Sequence, residues 1–515
     1  MRARACLTVG AALVIAVAAG GGCTSLPPAE RTVTQALADT GTTRMGLAIA
    51  PLAAAHPGLS GVLALPDGRD AFAARVLLAR GAERSLDVQY YIWRDDLTGV
   101  LLLDELRSAA ARGVRVRLLL DDNNTAGLDP MLAALDAEPN IEIRLFNPFR
   151  TRAWRSLGLA LDFSRLNRRM HNKSFTADNQ ATIVGGRNIG DEYFGAAGDV
   201  LFVDLDVLAV GPVVPETSRD FDRYWNSASA YPVASLVDAR EAEQGGALAG
   251  RAAQLRSQAG ARRYIEAVRS SAFVAQLNAG QAPLEWNPVR LVSDDPAKAT
   301  GTARPGDNVA VQLRRLWGKP AHQLDLVSPY FVPGKDGAHA LADLARSGAR
   351  VRVLTNSLEA TDVAAVHAGY AKWRHDLLRA GVSLFELRRS WAADLPDGGR
   401  GRFGSSASSL HAKTFGVDGR SIFVGSFNMD QRSLALNTEM GFVIDSPRMA
   451  QELSRMLDTR MPERAYEVRL DEAGKLFWIE RADGKTLRYD TEPGTGIWKR
   501  AGVRILSILP IDWLL

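Results

Sequence analysis

The feature that most limits how this 515-residue chain can fold is that much of it is written twice. A stretch reading ARGVRVRLLLD ends at Asp121, and its counterpart RSGARVRVLTN ends at Asn356. The neighbours repeat as well. Ser85 to Trp93, rich in aromatic and β-branched residues, predicts a buried strand; a helical run Val100–Ala111 follows, then a strand Gly113–Asp121. Gln323–Phe331, Gly337–Arg346 and Gly348–Thr355 return in the same order. A third strand pair, Ile141–Phe146 and Val382–Leu387, comes next in both copies. Two copies of one βαβ unit predict an α/β fold: a duplicated α/β/α sandwich, two repeats with mixed sheets related by a pseudo-two-fold axis.

Behind the third strand of each copy lies one cluster of reactive residue types. The first is His171-Asn-Lys173, Asp178 and Gly185-Gly-Arg-Asn188; the second is His411-Ala-Lys413, Asp418 and Gly425-Ser-Phe-Asn428. His to Lys is two residues, Lys to Asp five, Asp to Gly seven and Gly to Asn three in both, and the histidines stand 240 residues apart. A lone His-x-Lys is common and says nothing. The whole set at matched places of a repeat is not chance, and neither copy has lost a member.

The spacing has a physical logic. On an extended strand, His and Lys two residues apart point to the same face. The Gly-to-Asn segments follow strand-like Ala181–Val184 and Ser421–Val424; glycine there lets backbone approach an anion, and asparagine adds a neutral donor. Two such faces across an axis surround one cavity with two imidazoles, two ammonium groups and two amides. That set suits a phosphodiester. Cations and amides hold the non-bridging oxygens while one imidazole attacks phosphorus and the other, protonated, donates to the leaving alkoxide.

The pattern His-x-Lys-x4-Asp-x6-Gly-(Gly or Ser)-x-Asn, present twice, resembles the phospholipase D superfamily. VGGRNIGDEYF, VDLDVLAVGP and VGSFNMDQRSLALNTEMGF resemble its bacterial cardiolipin synthase branch, and NSLEATDVAAVHAGYAKWR at Asn356–Arg374 is similar to the C-type synthases. The likeness covers roughly residues 60 to 515. It implies a phospholipase D-type fold and a phosphatidyltransferase that joins two phospholipids through a covalent phosphohistidine, with no cofactor and no metal. It implies His171 as nucleophile and His411 as general acid. Lys173, Lys413, Asn188 and Asn428 then bind phosphate, with Gly185, Gly425 and Ser426, while Asp178 and Asp418 complete the motif and hold its loop by hydrogen bonds. Glu439 in NTEMGF and Asp204 in FVDLDV are the carboxylates expected to orient the histidines, with Asp206 a rival to Asp204.

The implied partners are phospholipids, phosphatidylglycerol and/or phosphatidylethanolamine, at a membrane surface. Hydrolysis to phosphatidic acid uses the same site and stays open as an alternative, the acceptor being a lipid, glycerol or water. A nuclease is disfavoured by the export signal and the lack of a dense basic stripe, so no nucleic acid is expected. A non-catalytic scaffold is disfavoured by the intact motif pair. One chain carries both motifs and completes one site by itself; oligomeric state is not read from it.

Arg2 and Arg4 precede an apolar run, Ala5–Ala19, and then Gly20-Gly-Gly-Cys23. This predicts a bacterial lipoprotein signal, too short to span a bilayer, with Cys23 lipidated and the enzyme held at the cell envelope. Gly20 departs from the aliphatic residue usual three places before the cysteine, so a plain signal or an uncleaved anchor stays open. The only other cysteine is Cys6, inside the signal, so the body is expected to hold no disulfide and no cysteine ligand. The expected domains are a signal at 1–22, a polar tether at 23–57, repeats at 58–215 and 286–460, a helical connector at 216–285 and an extension at 461–515. Its apolar end, Ile505–Leu515, predicts a docked terminal strand, and Asp394–Ser409 a loop. With 46% hydrophobic and 23% charged residues the chain is globular; a net charge of +4 suits an anionic surface without deciding anything. Arg150, Arg152, Arg155, Arg165, Arg168 and Arg169 surround the approach to the first motif, as headgroup receivers or a solvated loop face. His367 and His375 read as satisfied or surface histidines.

Overall fold

The computed structural model describes residues 26, 28–196, 200–238, 240, 248–304, 306–389, 407–482 and 484–508. Cys23 and the signal, most of the loop at 394–409 and residues 509–515 lie outside them. The first part of the chain supplies strands β1 Ser60–Leu65, β2 Ser85–Tyr90, β3 Arg115–Asp121, β4 Ile141–Phe146, β5 Ser174–Ala177, β6 Ala181–Gly185, β7 Val200–Val203, β8 Asp206–Val210, β9 Ala230–Pro232 and β10 Glu285–Asn287. The later part supplies β11 Val289–Ser293, β12 Gln323–Val327, β13 Arg350–Asn356, β14 Ser383–Leu387, β15 Ala407–Leu410, β16 Thr414–Val417, β17 Ser421–Gly425, β18 Met440–Ile444, β19 Ala465–Leu470, β20 Leu476–Ala482 and β21 Lys485–Tyr489.

Two large mixed sheets result, ordered β10-β1-β8-β6-β5-β2-β3-β4-β9 and β11-β18-β17-β16-β12-β13-β14-β19-β20-β21. From β1 to β9 and from β11 to β19 the two orders match strand for strand. β2, β3 and β4 are parallel, as are β12, β13 and β14, while β5 and β16 run antiparallel beside them. Parallel strands covered on both faces must be apolar throughout, and Leu118, Leu119 and Leu120 are all buried. The repeated Arg-Val-Arg adds a charge to each interior. Arg117 lies opposite Asp87 and Arg352 opposite Asp325 in the parallel registers, with Nε–Oδ1 distances of 2.6 and 2.7 Å.

Helices Gly68–Gly81 and Leu97–Ala111 pack on the first sheet, and Val309–Trp317 and Gly334–Arg346 on the second. The sheets share an apolar core, in which Val184, Val207 and Ala209 meet Val327, Val424 and Phe442. Two further pairings cross between the halves. β7 lies parallel to β15, with Val203 opposite Leu410, and Met170 forms a bridge with Thr438.

Several expectations need correction. The tether carries a helix, Arg44–Ala54, and Thr34 and Ala36 bond to Asn226 and Asp222, because a polar segment can dock through backbone hydrogen bonds without an apolar pattern. Where a strand was expected at Ile505–Leu515, its described residues 505–508 end a helix, Ile497–Ile508, and 509–515 lie outside the described residues. His-x-Lys stands just ahead of β5 and β16 rather than within a strand. The arginine cluster is mostly partnered: Arg169 is buried on Asp121, Arg152 pairs with Asp122 and Asp129, and Arg168 donates to the Lys298 and Ala435 carbonyls. His367, by contrast, is the satisfied histidine the sequence allowed for, buried beside Glu492 and Arg374.

A buried ion pair that loses one partner leaves an uncompensated charge. Asp325→Ala should therefore lower stability by about 3–5 kcal/mol, whereas Asp325→Leu with Arg352→Met should come close to wild type. Denaturant midpoints for the second half check this; equal losses would show that the pair does not carry the interior.

Candidate active site

The site is built from the aspartates inward. Asp178 and Asp418 each sit in a hairpin turn at a φ of 51°, a left-handed conformation that aspartate tolerates better than most residues. Asp178 accepts hydrogen bonds from the N–H groups of Glu83, Arg84 and Ser85 at 2.8–3.0 Å by their shortest contacts. Asp418 accepts from Ala321, His322 and Gln323 at 3.0, 2.7 and 2.8 Å. Each carboxylate ties its hairpin to the start of the central strand and so fixes the register that carries the histidine. Seven residues of extended chain place it roughly 20 Å from that histidine. Members of the motif beside the catalytic histidines and lysines, both aspartates hold their loops by hydrogen bonds to backbone, the role the sequence gives them.

At the other end of β5, Met170 pairs with Thr438, and the His171 N–H donates to the Thr438 carbonyl at 2.9 Å. Glu439 therefore stands beside His171, and the imidazole Nδ1 lies 2.8 Å from its carboxylate. The second half mirrors this. β7 and β15 run side by side to Val203 and Leu410, the His411 N–H donates to the Val203 carbonyl at 2.8 Å, and His411 Nδ1 lies 2.6 Å from Asp204. Each histidine is thus held by the carboxylate of the opposite half. Asp206 is not the partner; it is buried against Arg75 and Arg187.

Glutamate 439 is further fixed. The Ser426 hydroxyl donates to it at 2.5 Å, and its backbone N–H donates to Asp294, which pairs with Lys298 at 2.7 Å. Ser426, expected among the phosphate binders, has its one proton committed to this carboxylate. The glycines serve close approach to protein, not only to an anion. A Cβ on Gly185 would stand 2.1 Å from an Asp206 oxygen, and one on Gly425 2.3 Å from the Met440 carbonyl. Asn188 accepts from the Ile92 N–H and donates to the Tyr193 hydroxyl, whereas Asn428 Oδ1 is buried with no partner among the described residues. Three rings to which the sequence gives no part in the site flank it: Tyr91 edge-on to His171, and Tyr193 and Phe202 against His411.

The lysines come in beside their histidines. Lys173 Nζ donates to the His171 carbonyl at 2.6 Å; Lys413 Nζ lies 2.9 and 3.2 Å from the two ring nitrogens of His411. Burial, with Lys173 and Lys413 close by, drives the His171 imidazole well below its ordinary value. Burial and Lys413 likewise lower His411, against the pull of Asp204. Asp204 stays ionised despite burial, because His411, Lys413 and Arg187 surround it. Burial raises Glu439 to about 7, and lowers Lys173 to about 7 and Lys413 to about 8. With Nδ1 turned to a carboxylate, each neutral ring keeps its Nε2 lone pair for chemistry. Two buried lysines beside two neutral imidazoles, only partly answered by Asp204 and Glu439, make a setting complementary to a phosphodiester.

The family described as "Cardiolipin synthase, PLD-like domain" matches residues 78–225 and 313–461. Cardiolipin synthase C of Escherichia coli (strain K12) is 50% identical over 474 residues, spanning 92% of this chain and 100% of that protein. A cardiolipin synthase of Staphylococcus aureus is 25% identical over 425 residues, 81% of this chain and 70% of its own. Among solved structures, a phosphatidylserine synthase of Haemophilus influenzae superposes with a TM-score of 0.57 at 14% identity, covering 92% of this chain and 100% of that one, which speaks for a shared fold.

The crossed pairing has a spectroscopic signature. In histidine-labelled protein, Asp204→Asn should shift the ring signals of His411 and spare those of His171, and Glu439→Gln should do the reverse. Signals that move within the same half would contradict the pairing.

Proposed function

We propose that this chain, which belongs to the phospholipase D-like cardiolipin synthase family, transfers a phosphatidyl group between phospholipids through a phosphohistidine on His171. The observation that carries the reading is the pair of imidazoles each held through Nδ1 by a carboxylate from the other half. Nε2 of His171 forms the bond to phosphorus as the bond to the headgroup oxygen breaks. His411, protonated, gives its proton to that alkoxide. The hydroxyl of an acceptor lipid then returns a proton to His411, its oxygen attacks phosphorus, and the P–N bond breaks. Lys173 and Lys413 hold the non-bridging oxygens, and Asn188 and Asn428 are read from their places in the motif as further ligands, Asn188 being tied to Tyr193 beside His411. The anionic phosphate raises the affinity of the neutral His411 ring for a proton, which readies it as an acid.

The donor is read as phosphatidylglycerol or phosphatidylethanolamine, the acceptor as phosphatidylglycerol, whose glycerol supplies the hydroxyl, the product as cardiolipin, and the enzyme as bound to the bacterial envelope through lipidated Cys23. The repeats are read as 58–215 and 286–460.

Radiolabelled phospholipid and acid-free peptide mapping test the assignment. The adduct should lie on the peptide containing His171. His411→Ala should still form it from a nitrophenyl phosphodiester, whose leaving group needs no proton, and His171→Ala should form none. An adduct on His411 alone would reverse the roles. Phosphatidic acid as the main product at saturating phosphatidylglycerol would make the enzyme a hydrolase.

The lysines set a pH dependence. Their ammonium forms bind the substrate phosphate and are lost from the empty site as pH rises through about 7 to 8. kcat/KM should therefore fall across that range, and kcat, measured with the phosphate in place, should fall later. A basic limb near 10, the ordinary lysine value, would contradict the buried-cation account.

A further inference from the structure

Large apolar side chains exposed singly are ordinary, but clusters of them mark a docking surface. Fourteen large hydrophobic residues are exposed among the described ones, and nine fall in two short segments. One is the turn and helix containing Trp154, Leu157, Leu159, Leu161 and Phe163; the other is the helix Ile497–Ile508, exposing Ile497, Trp498, Ile505 and Ile508. Trp154 is 71% exposed and Trp498 86%.

The two segments occupy matching places on the two halves. Arg155 donates to the Asp122 carbonyl, the residue after β3, and Lys499 donates to the Leu358 carbonyl, two residues after β13. β3 and β13 are equivalent strands, so both segments lie at the carboxyl ends of the parallel strands. His171 and His411 are at that same end, because antiparallel β5 enters there, with Ser174 opposite Gln89. The helix Ile497–Ile508 packs through Val503 and Leu506 on Leu358 and Ala368. Next to that seam, Asp362 accepts a hydrogen bond from Tyr330, which stands within electrostatic reach of Tyr91 and Tyr193 at the histidines.

We propose that these two segments form one membrane-docking face that seats the active-site mouth on an anionic phospholipid surface. The proposal rests on the phosphatidyltransferase reading, which requires substrates that reside in a bilayer. Charge favours that occupant over a protein. The helix Ile497–Ile508 carries Lys499, Arg500 and Arg504 and no acid, and Arg150 is exposed beside Trp154. Tryptophan flanked by cations and followed by aliphatic residues is the composition of a segment that lies in the headgroup region. No helix among the described residues is long and apolar enough to cross a membrane, so the segments lie on it.

Hydrogen exchange of the full chain tests this, with and without vesicles of phosphatidylglycerol and phosphatidylcholine. Peptides covering 152–166 and 497–508 should both slow on anionic vesicles, and the turn at 346–349, at the other end of the sheet, should not. Trp154→Ser with Trp498→Ser should lower activity on vesicles by about tenfold or more, since two aromatic anchors leave the interface. It should leave activity on monomeric short-chain phosphatidylglycerol within about twofold. Protection at neither segment, or at one only, would overturn the face, as would equal loss on vesicles and monomers. If the parent enzyme transfers no phosphatidyl group in either form, the functional reading fails, and the exchange data still decide the docking face.

Discussion

Of the hydrogen bonds that cross between the halves of this protein, two govern the rest: from the imidazole of His171 to Glu439 and from that of His411 to Asp204. A histidine that serves as nucleophile or acid needs one tautomer and one orientation, and here neither half supplies both for its own ring. The duplicated fold is therefore more than two domains in tandem. The packing of Val184 and Val207 on Val424 and Phe442, the β7–β15 pair and the Met170–Thr438 bridge all hold the relative position of the halves that these bonds require. The long-range effect of each motif aspartate falls into place too: by anchoring a hairpin to the start of β2 or β12, it sets how far the histidine reaches toward the opposite carboxylate.

The electrostatics follow from burial. Lys173, Lys413 and both imidazoles are removed from water, and charge held in such a place is destabilised unless an opposite charge is near. Asp204 and Glu439 answer part of it. Glu439, raised to about 7, answers less than Asp204, which is kept ionised by His411, Lys413 and Arg187. Neutral histidines beside partly discharged lysines are a resting state that an arriving phosphodiester completes. Binding and activation are in this sense the same electrostatic event.

The sequence made the repeat, the α/β class and the paired His-x-Lys clusters legible, because each is local or repeated in register. It also marked Asp204 and Glu439 as carboxylates near a histidine. It could not show which histidine each one serves, since those bonds join residues 207 and 268 positions apart through contacts between the halves. Asp204 is the sequence's choice over Asp206, and the fold supplies the reason: Asp204 meets His411, and Asp206 is taken by Arg75 and Arg187. Ser426 looked like a phosphate ligand from its place in the motif, and its hydroxyl turned out to face Glu439. The first residues of the tail, 505–508, are helical where a strand was expected, because a short apolar run has no period that separates strand from helix.

One chain folds into one complete site, each half finishing the other. Co-expression and purification of differently tagged His171→Ala and His411→Ala chains puts this to the test. If the site is completed within a chain, every molecule in the mixture lacks one histidine, and the account expects phosphatidyl transfer to remain at the level of either variant alone. Recovery of a substantial fraction of wild-type activity in the mixed, doubly tagged species would show that the two halves pair between chains, and would contradict the account.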